Sequence, residues 1–346
     1  MKSCRVGRTW AAGVGAWAAV LLSLSTNASA ADASVTIRLA DSLPAGHSFT
    51  KKLAEPFMAE VTKRSGGSIS FQHFPASQLG KGGDLLKLLQ SGVTEMALVV
   101  GPYVAEQMPL SGVIELPGGF SSSCQGAKAL WTLAVGGLLE TAEFKPNGIR
   151  MLGAIVQPPF QAFTSKPSLK SLKDMEGQKL RTTGGPMDLM ARKIGAVPVR
   201  MAAPEVREAM SRGTIDGGIL AIVSIDSYKL TPLVKAATLN ENFGSAGLFY
   251  SISDKAWNKL SPAQQKIMTE VGREMTFDAC AKVDADVAKD YEKMRAAGIS
   301  VAPMDEASRK QIAHAAEEVG ADWAKALDGR GKQGTAVLKA FREAIN

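Results

Sequence analysis

QKLRTTGGPMDLMARKIGAVPVRMAAPEVREAMSRGTIDGGI, residues 178–219, decides the fold class. Gln178 to Thr182 predicts a strand, Pro186 to Ile194 a helix and Val197 to Arg200 a second strand. Pro204 to Arg212 then predicts a helix and Ile215 to Ile219 a third strand. Strands alternating with helices of about ten residues are the pattern of parallel α/β units.

The same alternation runs through the chain before this stretch. Val35 to Ala40 (VTIRLA) alternates apolar and polar residues and predicts a strand. Phe49, Leu53, Phe57 and Val61 recur at helical spacing, so a helix is expected over Ser48 to Arg64. Strands are expected at Ile69–Phe74, Met96–Val100 and Ile149–Ile155, and helices at Gly82–Ser91 and Gln125–Leu139. Pro158-Pro159 breaks the pattern, which restarts at Gln161. Two α/β lobes follow from that break, with residues 31–154 and 244–285 in lobe I. Residues 155–243 and 286–346 form lobe II.

The C-terminal third reads differently. Between Pro262 and Ala296 the only glycine is Gly272, and Met268, Val271, Met275, Cys280, Val283, Val287, Tyr291 and Met294 recur in steps of three to five. Ser261-Pro262 supplies a cap and a first-turn proline, and Gly298 closes the run. A helix of about 33 residues is expected, roughly 50 Å long and able to brace both lobes. The alternative is a helix pair kinked at Gly272.

Composition agrees with a globular chain. Of 346 residues, 45% are hydrophobic and 21% charged, which excludes a disordered or collagen-like polymer. The net charge of +7 is scattered, and the densest basic stretch, Lys166 to Lys179, is interrupted by Asp174 and Glu176. No nucleic-acid stripe results. Lys2, Arg5 and Arg8, then the apolar run Ala11–Leu24, then Ala28-Ser29-Ala30 read as a cleavable export signal over residues 1–30. The run is too short for an easy membrane crossing, which needs about 20 residues. Cys4 precedes it, so lipid attachment is not expected.

Export gives Cys124 and Cys280 a choice between a disulfide and two buried thiols; buried thiols are the commoner state of such cysteines. His47, His73 and His314 stand apart without metal-ligand spacing, so no metal or cofactor is expected.

The segment Ser171-Leu-Lys-Asp-Met-Glu-Gly-Gln-Lys-Leu-Arg181 resembles the "s-l-x-D-l-x-G-x-K-i-R" signature of TRAP-transporter solute-binding proteins of the DctP type. The likeness continues through Gly195-Ala-Val-Pro-Val, Glu205-Val206 and Gly213-Thr-Ile-Asp-Gly217. Upstream it includes Phe74-Pro-Ala-Ser-Gln-Leu-Gly80 and Met108-Pro-Leu110, and downstream Trp257-Asn-Lys-Leu-Ser-Pro262. Any one motif is weak, but their order is specific. The resemblance implies a periplasmic-binding-protein fold: two α/β lobes closing on a small organic acid for delivery to TRAP membrane permease subunits. A monomer without enzymatic activity is expected.

Arg181 ends a predicted strand and precedes Thr182-Thr183-Gly184-Gly185-Pro186, a turn into a helix. The crevice beyond strand carboxyl ends is the usual ligand position in open α/β sheets. A guanidinium there matches a carboxylate with a planar fork, and the resemblance assigns this position the carboxylate-binding arginine. Two departures shape the expected ligand. Gln161 stands where many members carry a second arginine, and Gly218-Ile219-Leu220 places Leu220 at a ligand-touching asparagine. Losing a cation and an amide leaves a more apolar pocket. An apolar or aromatic monocarboxylate, such as a 2-oxo or 2-hydroxy acid, is therefore expected. His47, at a strand end, and Gln78, Tyr103, Phe120 and Phe243, at loop positions, complete the candidate lining. For His47 the commoner fate is a solvent-facing loop.

Enzymatic readings lack partners. Ser48-Phe-Thr-Lys51 matches S-x-x-K, but S-D-N and K-T-G do not accompany it, and no G-x-S-x-G occurs. A periplasmic sensing module reporting to a membrane receptor is the remaining alternative.

Overall fold

The computed structural model describes residues 33–346; the expected export signal lies outside the described residues. Along the chain come β1 (Val35–Ala40), α1 (Glu55–Arg64), β2 (Ile69–Phe74), α2 (Leu85–Ser91), β3 (Met96–Val100), α3 (Ser123–Ala134) and β4 (Ile149–Val156). Next are β5 (Gln161–Thr164), β6 (Lys179–Thr182), α4 (Pro186–Lys193), β7 (Val197–Arg200), α5 (Val206–Ser211), β8 (Gly217–Leu220) and β9 (Ala236–Thr238). The last elements are β10 (Gly247–Ser253), α6 (Asp254–Trp257), α7 (Pro262–Ala296), β11 (Ser300–Ala302), α8 (Glu306–Asp328) and α9 (Gly334–Ile345).

The strands form two sheets, in the orders β2-β1-β3-β10-β4 and β11-β9-β5-β8-β6-β7. The β1/β2, β1/β3, β6/β7 and β6/β8 pairings are parallel, as the alternation requires. Each sheet also takes one strand in reverse: β10 runs antiparallel to β3 and β4, and β5 antiparallel to β8 and β9. Alternation gave no sign of β10, because every residue of GLFYSIS is buried and no polar face marks the period. β9 and β11 are three residues each, too short to show one.

Residues 157–160 carry the chain from the first sheet to the second, and residues 239–246 carry it back. The two crossings run side by side: Gln157 N donates to Ala246 O at 3.0 Å, and Phe243 N to Phe160 O at 3.2 Å.

α7 makes a third link, 35 residues long and unbroken at Gly272. Ser261 and Gln264 form a reciprocal capping box at its start. Gly272 serves close approach instead of a kink: a Cβ there would lie 1.9 Å from Leu152 O on β4. Thr276, one turn on, donates to Gly272 O at 2.7 Å and accepts from Ala154 N at 3.0 Å. Met268, Val271 and Val283 of this helix join the large apolar cluster that takes in the whole first sheet and part of the second, whereas Tyr291 and Met294 join a smaller cluster with Phe163, Leu220 and Ala237 of the second sheet.

Cys124 and Cys280 form a disulfide, correcting the expectation of two free thiols. Two α7 side chains one turn apart hold the start of α3, since Asp284 also accepts from Ser123 N at 2.7 Å and Cys124 N at 3.0 Å. The cysteines are 156 residues apart in sequence, so only the packing of α7 on α3 reveals them as neighbours. Among the described residues no helix is long and apolar enough to cross a membrane.

Candidate functional site

Arg181 lies on β6, in register with Gly218 of β8 and Val199 of β7. Its neighbour has to be glycine: a Cβ on Gly218 would come within 3.0 Å of the Arg181 Cβ and 2.9 Å of the Phe163 ring. The strand then turns into α4 through Gly184 and Gly185, with φ of 96° and 54°, in a region where glycine is the residue of least strain.

The arginine is 1% exposed, a depth at which cations are rarely left unpaired. Nε donates to Met201 O at 3.1 Å and Nη1 to Ile219 O at 3.2 Å, which fixes the plane of the fork. Among the described residues no acceptor pairs with Nη2, and no carboxylate forms a salt bridge with Arg181. The guanidinium faces a nearly closed cavity of ≈ 20 Å³ between the two sheets. Leu220 and Tyr103 line this cavity with Arg181, from opposite sheets.

Further lining comes from Phe49, Phe160, Tyr228, Gln157 and Thr183, which sequence reading had not singled out. The signal for Phe160 was available, two residues beyond the break at Pro158. For Phe49 the helical spacing pointed to core packing instead. Tyr228 is partly buried, and desolvation of its hydroxyl pushes the pKa upward, so it stays a neutral phenol. Aromatic faces and one unpaired cation make a chemistry suited to an organic anion with an apolar body.

The remaining sequence candidates stand outside the lining of the Arg181 cavity. Gln161 lines a second, larger cavity of ≈ 770 Å³ beside the crossings, with Phe120, Glu241 and Asp284. Its amide is fully used: Nε2 donates to Glu241 O at 2.6 Å and Pro159 O at 3.2 Å. Oε1 accepts from Thr238 Oγ1 at 2.9 Å and Glu241 N at 3.1 Å. A side chain that staples the two crossings together has no hydrogen bond left for a solute in this arrangement. Phe120 packs edge-on to Phe341, with ring centroids 6.4 Å apart. Phe243 is wholly buried core, and Gln78 is exposed in the turn after β2. Gly218 backs Arg181 without lining the cavity.

His47 is neither solvent-facing nor in the cavity lining. It is buried, with its ring tilted against Phe49 at 5.1 Å and against Tyr228 at 5.0 Å between centroids. Nδ1 accepts from Phe49 N at 3.1 Å. Burial pulls the imidazole pKa down to about 4, so the ring is neutral near pH 7. Among the described residues no group of three or more metal-ligating side chains occurs.

The description "Bacterial extracellular solute-binding protein, family 7", the DctP family, matches residues 39–326. The chain belongs to this family. A solute-binding protein of Albidiferax ferrireducens is 28% identical over 268 residues, 76% of this chain and 78% of the relative. Two solved TRAP solute-binding proteins share the two-lobed fold. One, from a marine metagenome, is described as specific for aromatic acid ligands and is bound to metahydroxyphenylacetate; its TM-score is 0.84 at 24% identity, covering 90% of this chain and 98% of that one. The other, from Bordetella bronchiseptica, holds (R)- and (S)-mandelate; its TM-score is 0.81 at 25% identity, with the same coverage. These relatives are solute-binding proteins.

Proposed function

We propose that this protein captures an apolar or aromatic monocarboxylate, such as a 2-oxo or 2-hydroxy acid, between its lobes in the periplasm. It then delivers the acid, as a monomer, to a TRAP-type membrane permease. Residues 31–154 with 244–285 and residues 155–243 with 286–346 are the two closing bodies. The observation that carries the reading is Arg181: a cation 1% exposed, with Nη2 unpaired among the described residues, facing a cavity walled by Phe49, Phe160, Tyr103 and Tyr228. A carboxylate fills that vacancy of charge with a charge-assisted hydrogen bond. A dicarboxylate would bury a second charge with no cation to meet it. The aromatic acids bound by the structural relatives support the same class.

The cavity volume of ≈ 20 Å³ is far below the roughly 300 Å³ of ordinary small-molecule sites. Entry therefore requires the lobes to part. A thermal-shift panel of benzoate and mandelate against succinate and malate tests the reading. Stabilisation by the monocarboxylates is expected; a consistent preference for the dicarboxylates would overturn it.

A further inference from the structure

Besides Arg181, one more residue lining this cavity carries an unpaired polar atom: Gln157 Oε1 is buried and has no hydrogen-bond partner among the described residues. Gln157 is 8% exposed and follows β4 directly, at the start of the first crossing. Its backbone is pinned on both sides: N donates to Ala246 O at 3.0 Å, and O accepts from Ser245 Oγ at 2.7 Å. The side chain is therefore held against the cavity by the same crossings that join the lobes. The contrast with Gln161 is direct, because that amide is saturated by the crossings themselves.

A buried amide oxygen without a donor is costly, and natural proteins rarely retain one without a use. We infer that Gln157 reads a hydroxyl on the bound acid, so that the solute is a hydroxylated monocarboxylate and Gln157 is a specificity-determining residue. This rests on the reading of Arg181 as the carboxylate anchor. A hydroxyl fits where other groups do not. It both donates and accepts, so it pairs with the amide in either orientation of its oxygen and nitrogen. An ionised second carboxylate would bury a charge that a neutral amide does not balance, and a bare phenyl or methyl group leaves the amide desolvated and unpaired. The lining also carries the hydroxyls of Ser42, Thr183, Ser224 and Tyr228, and none of them donates to Gln157 Oε1.

The test is titration calorimetry with phenylacetate, mandelate and 3-hydroxyphenylacetate, which share one body and differ in a hydroxyl. In the wild-type protein at least one hydroxylated acid is expected to bind about tenfold tighter than phenylacetate, equivalent to ~1.4 kcal/mol. In Gln157→Met that ratio is expected to fall below about threefold. The Tm of the ligand-free variant is expected to equal or exceed the wild-type value, because no paired hydrogen bond is lost. A ratio that survives the substitution, or an outright preference for phenylacetate, overturns the inference while leaving the carboxylate reading intact. A clear drop in ligand-free Tm assigns Gln157 a structural hydrogen bond and overturns it also. Failure of all three acids to bind overturns the carboxylate reading of the cavity and this inference together.

Discussion

The backbone N–H of Ala203 donates to the Tyr103 hydroxyl at 2.8 Å, joining two residues that both line the cavity. Tyr103 follows β3 of the first sheet, and Ala203 follows β7 of the second. An ion pair from Lys52 to Asp286 of α7, at 2.9 Å, adds to the closure nearer solvent. On the proposed closure of two lobes, this hydrogen bond exists only while they are shut. Tyr103 is thus both wall and latch.

Tyr103→Phe removes the latch and keeps the wall. One neutral hydrogen bond is worth about 0.5–1.5 kcal/mol, so affinity for the best acid is expected to fall about two- to tenfold. Surface plasmon resonance should place most of the loss in faster release. Small-angle scattering on the wild type should show a smaller radius of gyration at ligand saturation. An unchanged radius would count against lobe closure.

Arg181→Met should cost far more. Removing one partner of a buried charge pair costs about 3–5 kcal/mol, a loss of roughly 10²- to 10³-fold or more in affinity. Arg181→Lys should recover little, since an ammonium cannot hold Met201 O and Ile219 O while presenting a planar fork. Calorimetry decides this, with circular dichroism as the folding control. Binding within about threefold of wild type by a folded Met variant would remove Arg181 as anchor.

Reduction of Cys124–Cys280 should destabilise the fold without abolishing it. The bridge closes a loop of 156 residues, and a disulfide typically contributes about 2–4 kcal/mol by restricting the unfolded chain. Scanning calorimetry with and without reductant should show a Tm lower by several degrees. The double variant Cys124→Ser, Cys280→Ser should match the reduced protein and be insensitive to reductant.

His47 should make stability fall with acidity. The folded imidazole titrates at about 4 and the unfolded one near 6.5, so between those values the unfolded chain binds more protons. Stability from this group is full above pH 6.5 and is lost as pH falls towards 4, by up to about 3 kcal/mol. Urea titrations at pH 7 and pH 4.5 should show a smaller loss for His47→Gln than for the wild type. Equal losses would mean that His47 is charged in the folded protein.

Much of this was legible before any coordinates. The strand and helix over residues 178–194 carry Arg181 to a sheet end, and the turn glycines that follow it mark the site. The orientation of Gln161 was not legible, for a physical reason. Substitution of a cation by an amide says that a charge is gone, not which way the amide points, and here it points into the crossings. Phe120 and Phe243 went the same way, since an aromatic residue in a loop serves core and pocket equally well.

Local periodicity determined the α/β alternation, the break at Pro158-Pro159 and the long α7, because each depends on residues a few positions apart. The tertiary structure alone decided which buried surfaces meet. Arg181 faces Tyr103, and Phe49 shares a cavity with Leu220, because the chain crosses twice between sheets and α7 ties them a third time. The reverse strand β10, the Cys124–Cys280 bridge and the unpaired amide of Gln157 are products of those crossings. Such contacts join residues up to about half the chain apart, and a pattern with a period of two or 3.6 residues carries no information about them.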